Sequence, residues 1–185
     1  MAPLNQGFTL IELIITLALA SVVVGLAVPS VGHMIRTNAV VSINNVLFVD
    51  ILFTRSEAIK RNTPVTICAA NDTFSACIVS DDWSKGWISF VESVDFNGVV
   101  DGATETIIRS NPGSTSATMT IQTSGNMAGD IGYQGDGYPI IPSVGTLPNG
   151  AFLICEDNDV SYSRKIEVNQ TGRVQSVGVS DSCGA

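Results

Sequence analysis

A chain of 185 residues is long enough for one domain with a buried core and an extension. Nine Lys and Arg against 17 Asp and Glu leave a net charge of -8, which repels a phosphate backbone over most of the surface and excludes bulk electrostatic capture of nucleic acid. Apolar residues, 45% of the chain, are unevenly spread: from Phe8 to Gly32 the only charge is Glu12, while the remainder has the composition of a soluble, slightly acidic domain.

Residues 7–12 read Gly7-Phe8-Thr9-Leu10-Ile11-Glu12, followed by Leu13-Ile14-Ile15 and an apolar run to about Val31. A bilayer core requires an apolar helix of roughly 20 residues, and this run supplies it. A cleavable secretory signal would use Ala18-Leu19-Ala20 as its cleavage site. Against it, the leader Met1–Gly7 holds no Lys or Arg, and Glu12 interrupts the start of the apolar run. A plain signal anchor accounts for the hydrophobicity but not for Glu12, since a carboxylate in the apolar layer costs about 2.5–3.5 kcal/mol. The charges also sit awkwardly for an anchor, because Arg36 follows the span and nothing basic precedes it. An acid in such a place has a partner and a function.

The stretch Gly7-Phe8-Thr9-Leu10-Ile11-Glu12 resembles the processing site of type IV pilins and type II secretion pseudopilins. The resemblance implies that a prepilin peptidase cuts after Gly7 and methylates the new N-terminus, Phe8. It also implies that Glu12 pairs with the N-terminal amine of a neighbouring subunit and so sets its register in a filament. Pro29 falls where these proteins carry a helix-kinking proline. The leader departs from the family pattern in lacking a basic residue.

Beyond Pro29 the chain keeps a helical period. Ile35, Ala39, Ile43, Val46, Leu47 and Phe53 fit one helix face, with Arg36, Asn44, Asn45, Arg55 and Lys60 falling elsewhere. No Gly or Pro occurs between Gly32 and Pro64, which predicts one helix from about Phe8 to Arg61, bent at Pro29 where the ring removes a backbone donor. Its second half is expected to be amphipathic and to lie on the globular domain.

After Pro64 the period changes to two. Strands are predicted at 65–68, 87–91, 106–108, 118–121, 151–154, 165–168 and 173–179, with turns at Asn111-Pro112-Gly113, Gly135-Asp136-Gly137 and Pro148-Asn149-Gly150. There is no internal repeat. Four cysteines beyond a membrane-crossing segment suggest an oxidising compartment and two disulfides. Of the three pairings open to them, Cys68–Cys77, stapling a hairpin, and Cys155–Cys183, pinning the tail, are expected. Zinc is disfavoured, since no CxxC occurs and the lone His33 lies far away in sequence.

Within this region Arg55–Arg61, Val65–Cys68 and Trp83–Phe90 resemble the GspH/FimT-type domain. So do Asp95-Phe96-Asn97-Gly98 through Asp101, Ile107-Ile108-Arg109, Thr171-Gly172-Arg173 and Cys183; only about residues 110–148 are unmatched. The two cysteine pairs look more like the FimT and FimU minor pilins than the GspH pseudopilins.

Two constellations carry rival chemistry. Asp95, Asn97, Asp101 and Glu105 offer oxygen ligands for calcium, but the EF-hand spacing is absent and Asp-Phe-Asn-Gly reads as a turn. Arg164, Lys165 and Arg173 are candidate DNA contacts, because some FimT proteins bind DNA through Gly-Arg-x-Arg near this place. Here the stretch is Gly172-Arg173-Val174-Gln175, so glutamine replaces the second arginine, and Asp157, Asp159 and Glu167 lie close in sequence. Trp83 and Trp87 are expected in the core. With one histidine near the membrane boundary, no Ser-His-Asp or Cys-His arrangement is available.

These readings predict an α+β, pilin-like fold. A leader (1–7) precedes an N-terminal helix (8–61, with 8–31 in the membrane or filament core) packed on an antiparallel β head (62–185). The resemblance implies a minor pilin for type IV pilus initiation and assembly at the pilus tip. A FimT-like DNA-binding minor pilin for natural transformation and a GspH-like type II secretion pseudopilin are the alternatives. Neither an enzyme nor a cofactor is expected. The implied partners are minor and major pilins, prepilin peptidase and the inner-membrane assembly platform. The implied location is a single-pass inner-membrane protein with a periplasmic head, which then passes to the pilus.

Overall fold

The computed structural model describes residues 7–93, 96–101, 105–127, 129–178 and 183, with the side chains of 26–30 also left aside. The chain divides into two units, Met1–Asn38 and Ala39–Ala185. One helix, α1 (Leu10–Arg61), runs through both. Its start is set by Thr9, whose Oγ1 accepts a hydrogen bond from the Glu12 amide at 3.3 Å, an N-cap that leaves Phe8 outside the helix. Its end is a Schellman turn. Thr63 N donates to Ala58 O and Asn62 N to Ile59 O, with Asn62 in the left-handed region (φ 51°) and Pro64 next. Lys60 and Arg61 complement the dipole in the last turn.

Over Leu10–Gly25 α1 is apolar all round but for Glu12 and a few hydroxyls. Leu10, Ile11, Leu13, Ile14, Ile15, Leu17 and Leu19 are each at least 53% exposed. A helix of that kind belongs in lipid or in a bundle of other helices. Pro29 lies in α1, but its side chain is outside the described residues. By length and composition Val31–Arg61 also passes for a membrane span, with mean hydropathy 1.4. From Val40 onward, however, its inward side chains are buried in the head, which makes it the core helix of the second unit.

The buried face of α1 is Val40, Ile43, Asn44, Leu47, Asp50, Ile51, Thr54, Glu57 and Ala58. This corrects the face read from apolar spacing. Ile35 is 66% exposed, and Asn44, set aside as polar, is buried. The polar members fix where the helix lies along its own axis. Asn44 Nδ2 donates to Ser176 Oγ (3.1 Å), the Thr54 and Ser89 hydroxyls meet at 2.9 Å, and Trp87 Nε1 donates to Asp50 Oδ2 (2.8 Å). Arg109 Nε also lies 2.7 Å from Asp50 Oδ1, an ion pair without hydrogen-bond alignment, and its guanidinium sits over the Phe53 ring. An apolar stripe alone would allow the helix to slide by a turn; these contacts do not.

The remainder of the head is two antiparallel sheets. The first, in spatial order β3-β2-β1-β5-β6, uses β1 (Val65–Ala69), β2 (Trp87–Val91), β3 (Thr106–Asn111), β5 (Asp130–Tyr133) and β6 (Pro139–Ile140). The second, in order β4-β7-β8-β9, uses β4 (Met119–Thr123), β7 (Gly150–Glu156), β8 (Asp159–Val168) and β9 (Val174–Gly178). Strand β1 is buried on both faces. Val65, Ile67 and Ala69 join the main core with Leu47, Ile51, Trp83, Trp87 and Phe152, while Cys68 faces a smaller cluster with Ile88 and Phe90. Trp83 and Phe152 meet edge to face at 4.7 Å.

Cys68 is bonded to Cys77 and Cys155 to Cys183. On a chain-entropy estimate, closing loops of 9 and 28 residues stabilises the fold by about 2.6 and about 3.6 kcal/mol respectively.

Candidate functional site

Gly7, Phe8, Thr9 and Glu12 are all exposed at the start of α1, with Phe8 82% exposed. Gly7, Phe8 and Thr9 precede α1 and belong to no helix or strand. Thr9 and Glu12 hold the N-cap and third positions of a capping box. Only the threonine half is made: among the described residues the Glu12 carboxylate has no hydrogen bond or ion pair. Glu12 is thus exposed on an apolar stretch of helix, without a partner among the described residues.

In the head, the three candidate cations do not form one patch. Lys165 and Arg173 line a cleft of about 360 Å³ between the β8–β9 surface and the Ser124-Gly125 and Asn149-Gly150 turns. Arg164 precedes Lys165 on β8, so strand alternation sends it to the other face, where its Nη1 donates to the Ser163 carbonyl. Within the cleft Lys165 Nζ lies 3.2 Å from Glu167 Oε1, and Gln175 Nε2 donates to Glu167 Oε2 at 2.8 Å. The Gln175 amide, and then Lys165, hold the Glu167 carboxyl below the usual carboxylate range. The glutamine that stands where a second arginine was sought thus binds an acid. The cleft carries two cations against one acid, a weak excess of positive charge rather than a strong anion trap.

A residue outside the motif positions this cleft. Arg55 of α1 donates from Nε to the Gly137 carbonyl (3.1 Å) and from Nη1 to the Gly172 carbonyl (3.0 Å), tying the turn before Arg173 to the helix. Only the Arg55–Arg61 resemblance had drawn attention to it; side chain-to-backbone bonds of this kind leave no periodic trace.

The acidic loop after β2 is a turn built on its own carboxylates. Glu105 accepts Ser93 N and Oγ at one oxygen and Asp101 N at the other, and Asn97 Oδ1 accepts Val99 N. Asp95 lies outside the described residues, and among those described no three His, Cys, Asp or Glu side chains converge as metal donors. Beneath the loop, Glu92 accepts the Gly98 amide at 3.2 Å and is buried, which pushes its pKa up to about 7. Burial also raises the pKa of Asp130, which accepts Ser143 N and Oγ. An acid whose folded pKa exceeds its unfolded value binds the proton more tightly when folded. Its contribution is therefore full below the unfolded pKa and lost as pH rises through the folded one. The melting temperature is expected to fall between about pH 4.5 and about pH 7, and Glu92→Gln should flatten much of that slope in thermal melts. An unchanged slope would mean that Glu92 titrates normally.

Comparison with known proteins agrees with these features. The family described as Type II transport protein GspH matches residues 45–172, and the prokaryotic N-terminal methylation motif matches residues 3–28. Among solved structures, the type IV minor pilin FimU of Pseudomonas aeruginosa is similar in two crystal forms. One is 21% identical with a TM-score of 0.58, covering 80% of this chain and 96% of that one. The other is 20% identical with a TM-score of 0.55, covering 77% and 98%. At these identities the likeness is one of fold. No curated protein matches the chain at the sequence level.

Proposed function

The chain belongs to the GspH family of pilin-like subunits, and from that membership we propose that it serves as a minor pilin, initiating or capping a type IV pilus at its tip. The single observation that carries this reading is Glu12: exposed, without a partner among the described residues, and set in the apolar first stretch of α1, four residues after Phe8. On this reading prepilin peptidase removes residues 1–7 and methylates Phe8, leaving an amine at the position a neighbour's Glu12 requires. The N-terminal segment 8–61, which holds α1, waits in the inner membrane through its 8–31 stretch, with Pro29 as its bend and the head 62–185 in the periplasm. The assembly platform then transfers it among minor and major pilins. The transfer has little hydrophobic cost, because the helix exchanges lipid for other apolar helices, and the carboxylate–amine pair rewards one axial register over others.

A second reading is favoured by the matched family's own description as a type II transport protein: a pseudopilin of protein secretion. A clean deletion in the native host separates the two when scored for surface pili with twitching, for secretion and for DNA uptake. Loss of pili supports the assembly role. A secretion defect alone moves the protein to the pseudopilins. Normal pili with lost uptake would overturn both and return attention to Arg173.

A further inference from the structure

Four loops of the head meet around a small hollow of about 60 Å³. Asp130, at the start of β5, lies in its wall beside Gly129 and Gly98, and Ile78, Val79 and Val99 stand around it. Val144 follows Ser143, which also lines the hollow. These aliphatic side chains face water: Val79 is 90%, Val144 61% and Val99 51% exposed. They are not on slack chain. The Cys68–Cys77 disulfide and the Ile78 N to Ala69 O bond hold the first loop. Glu92 holds the second through Gly98 N, and the Val144 and Gly145 amides close the third on Ile141 O. Exposed aliphatic groups gathered from separate, well-anchored loops mark a protein contact.

Charge says which partner. Between Asn62 and Ile108 the sequence has a single cation, Lys85, against seven acids (Asp72, Asp81, Asp82, Glu92, Asp95, Asp101 and Glu105). Asp130, itself buried, adds another; among the described residues its carboxylate accepts only from the neutral Ser143 donors, and no Lys, Arg or His pairs with it. Each of its oxygens keeps a lone pair for a further donor. Gly98 (φ +75°) passes so close that a Cβ there would meet Asp130 Oδ2, so only glycine leaves that side of the hollow open.

We propose that this face docks a basic surface of a different pilin-like subunit, one of whose Lys or Arg side chains enters the hollow. Its methylenes lie along Val79 and Val99, and its charge reaches toward Asp130. A second copy of this chain is a poor occupant, because it brings the same net charge of -8. The proposal rests on the assembly role given above and names the surface through which that role is exercised.

The test places a photo-crosslinking residue at Val79 of the full chain in its native host, with the same residue at Val160 on β8 as a surface control. Capture from Val79, and not from Val160, of a different protein with its own N-terminal methylation motif, identified by mass spectrometry, is the expected result. Asp130→Asn and Val144→Glu should each lower that capture roughly tenfold, equivalent to about 1.4 kcal/mol. Val144 is exposed, so its substitution leaves the fold in place even if Asp130→Asn does not. Capture of a second copy, equal capture from both positions, or yields untouched by both substitutions would overturn the proposal. Scoring Glu12→Ala alongside separates the two readings: if that variant is excluded from filaments while the Val79 results are negative, only the docking surface falls.

Discussion

Glu12→Ala is expected to reach the membrane and be processed at Gly7 as the parent chain is, yet to be at least tenfold depleted in sheared filaments. Insertion does not suffer, because the substitution removes a group that costs about 2.5–3.5 kcal/mol in the apolar layer. The proposed processing at the Gly7–Phe8 bond lies ahead of the helix cap, and Thr9 still closes the first turn. What is lost is the one charge in an apolar helix able to tell a neighbour's correct axial position from a slipped one. Glu12→Gln sharpens the experiment. It keeps the shape and hydrogen-bonding capacity of the side chain without its charge, so an ion pair predicts failure in both variants and a purely local capping role predicts recovery in glutamine. Equal amounts of mutant and parent chain in sheared filaments would overturn the assembly role assigned to Glu12.

The second large effect is in the head. Asp50→Ala should lower its stability by about 3 kcal/mol, at the lower end for breaking a buried charge pair. The aspartate is fully buried, and its removal leaves the Trp87 indole N–H without an acceptor and Arg109 without its anion. The lower end applies because the Arg109 side chain is 40% exposed and can turn to water. For a domain of this size the melting temperature should drop by about 6–12 °C in thermal unfolding of the detergent-solubilised chain. Asp50→Asn, which keeps an acceptor for Trp87 but no charge, should fall between the two. A drop of less than about 2 °C in the alanine variant would mean that the pair contributes little.

Asp50 also shows where sequence reading stops. The end of α1 was readable because the absence of Gly and Pro up to Pro64 is a local signal; its start falls at Leu10, two residues later than the Phe8 expected, because Thr9 caps it. The face that α1 buries was not readable, because Asn44, Asp50, Thr54 and Glu57 lie on it and an apolar-spacing rule counts them as solvent-facing. Seven strands followed from β-branched and aromatic runs; β5 and β6 did not. In Asp130–Tyr133 the glycine is required by a close approach, since a Cβ on Gly132 would meet the Phe96 ring at 2.6 Å, and Pro139–Ile140 is too short to have a period. In the cleft the motif identified Arg173, but the response of Glu167 to Gln175 and the hold of Arg55 on Gly172 depend on pairings between distant segments. The N-terminal methylation motif was the most readable part, because it is a local sequence pattern that needs no tertiary structure.

The Cys155–Cys183 bond has a mechanical consequence for a subunit in a fibre under tension. Strand β9 ends its sheet, held by β8 on one side only. Cys155 lies on β7 and Cys183 beyond β9, so the bond closes a covalent ring around both β8 and β9. Force travelling along the backbone from β7 toward the C-terminus is shunted through sulfur and bypasses the two outer strands. They feel no load along that route however hard the fibre is stretched, and they would begin to feel it as soon as the bond was reduced.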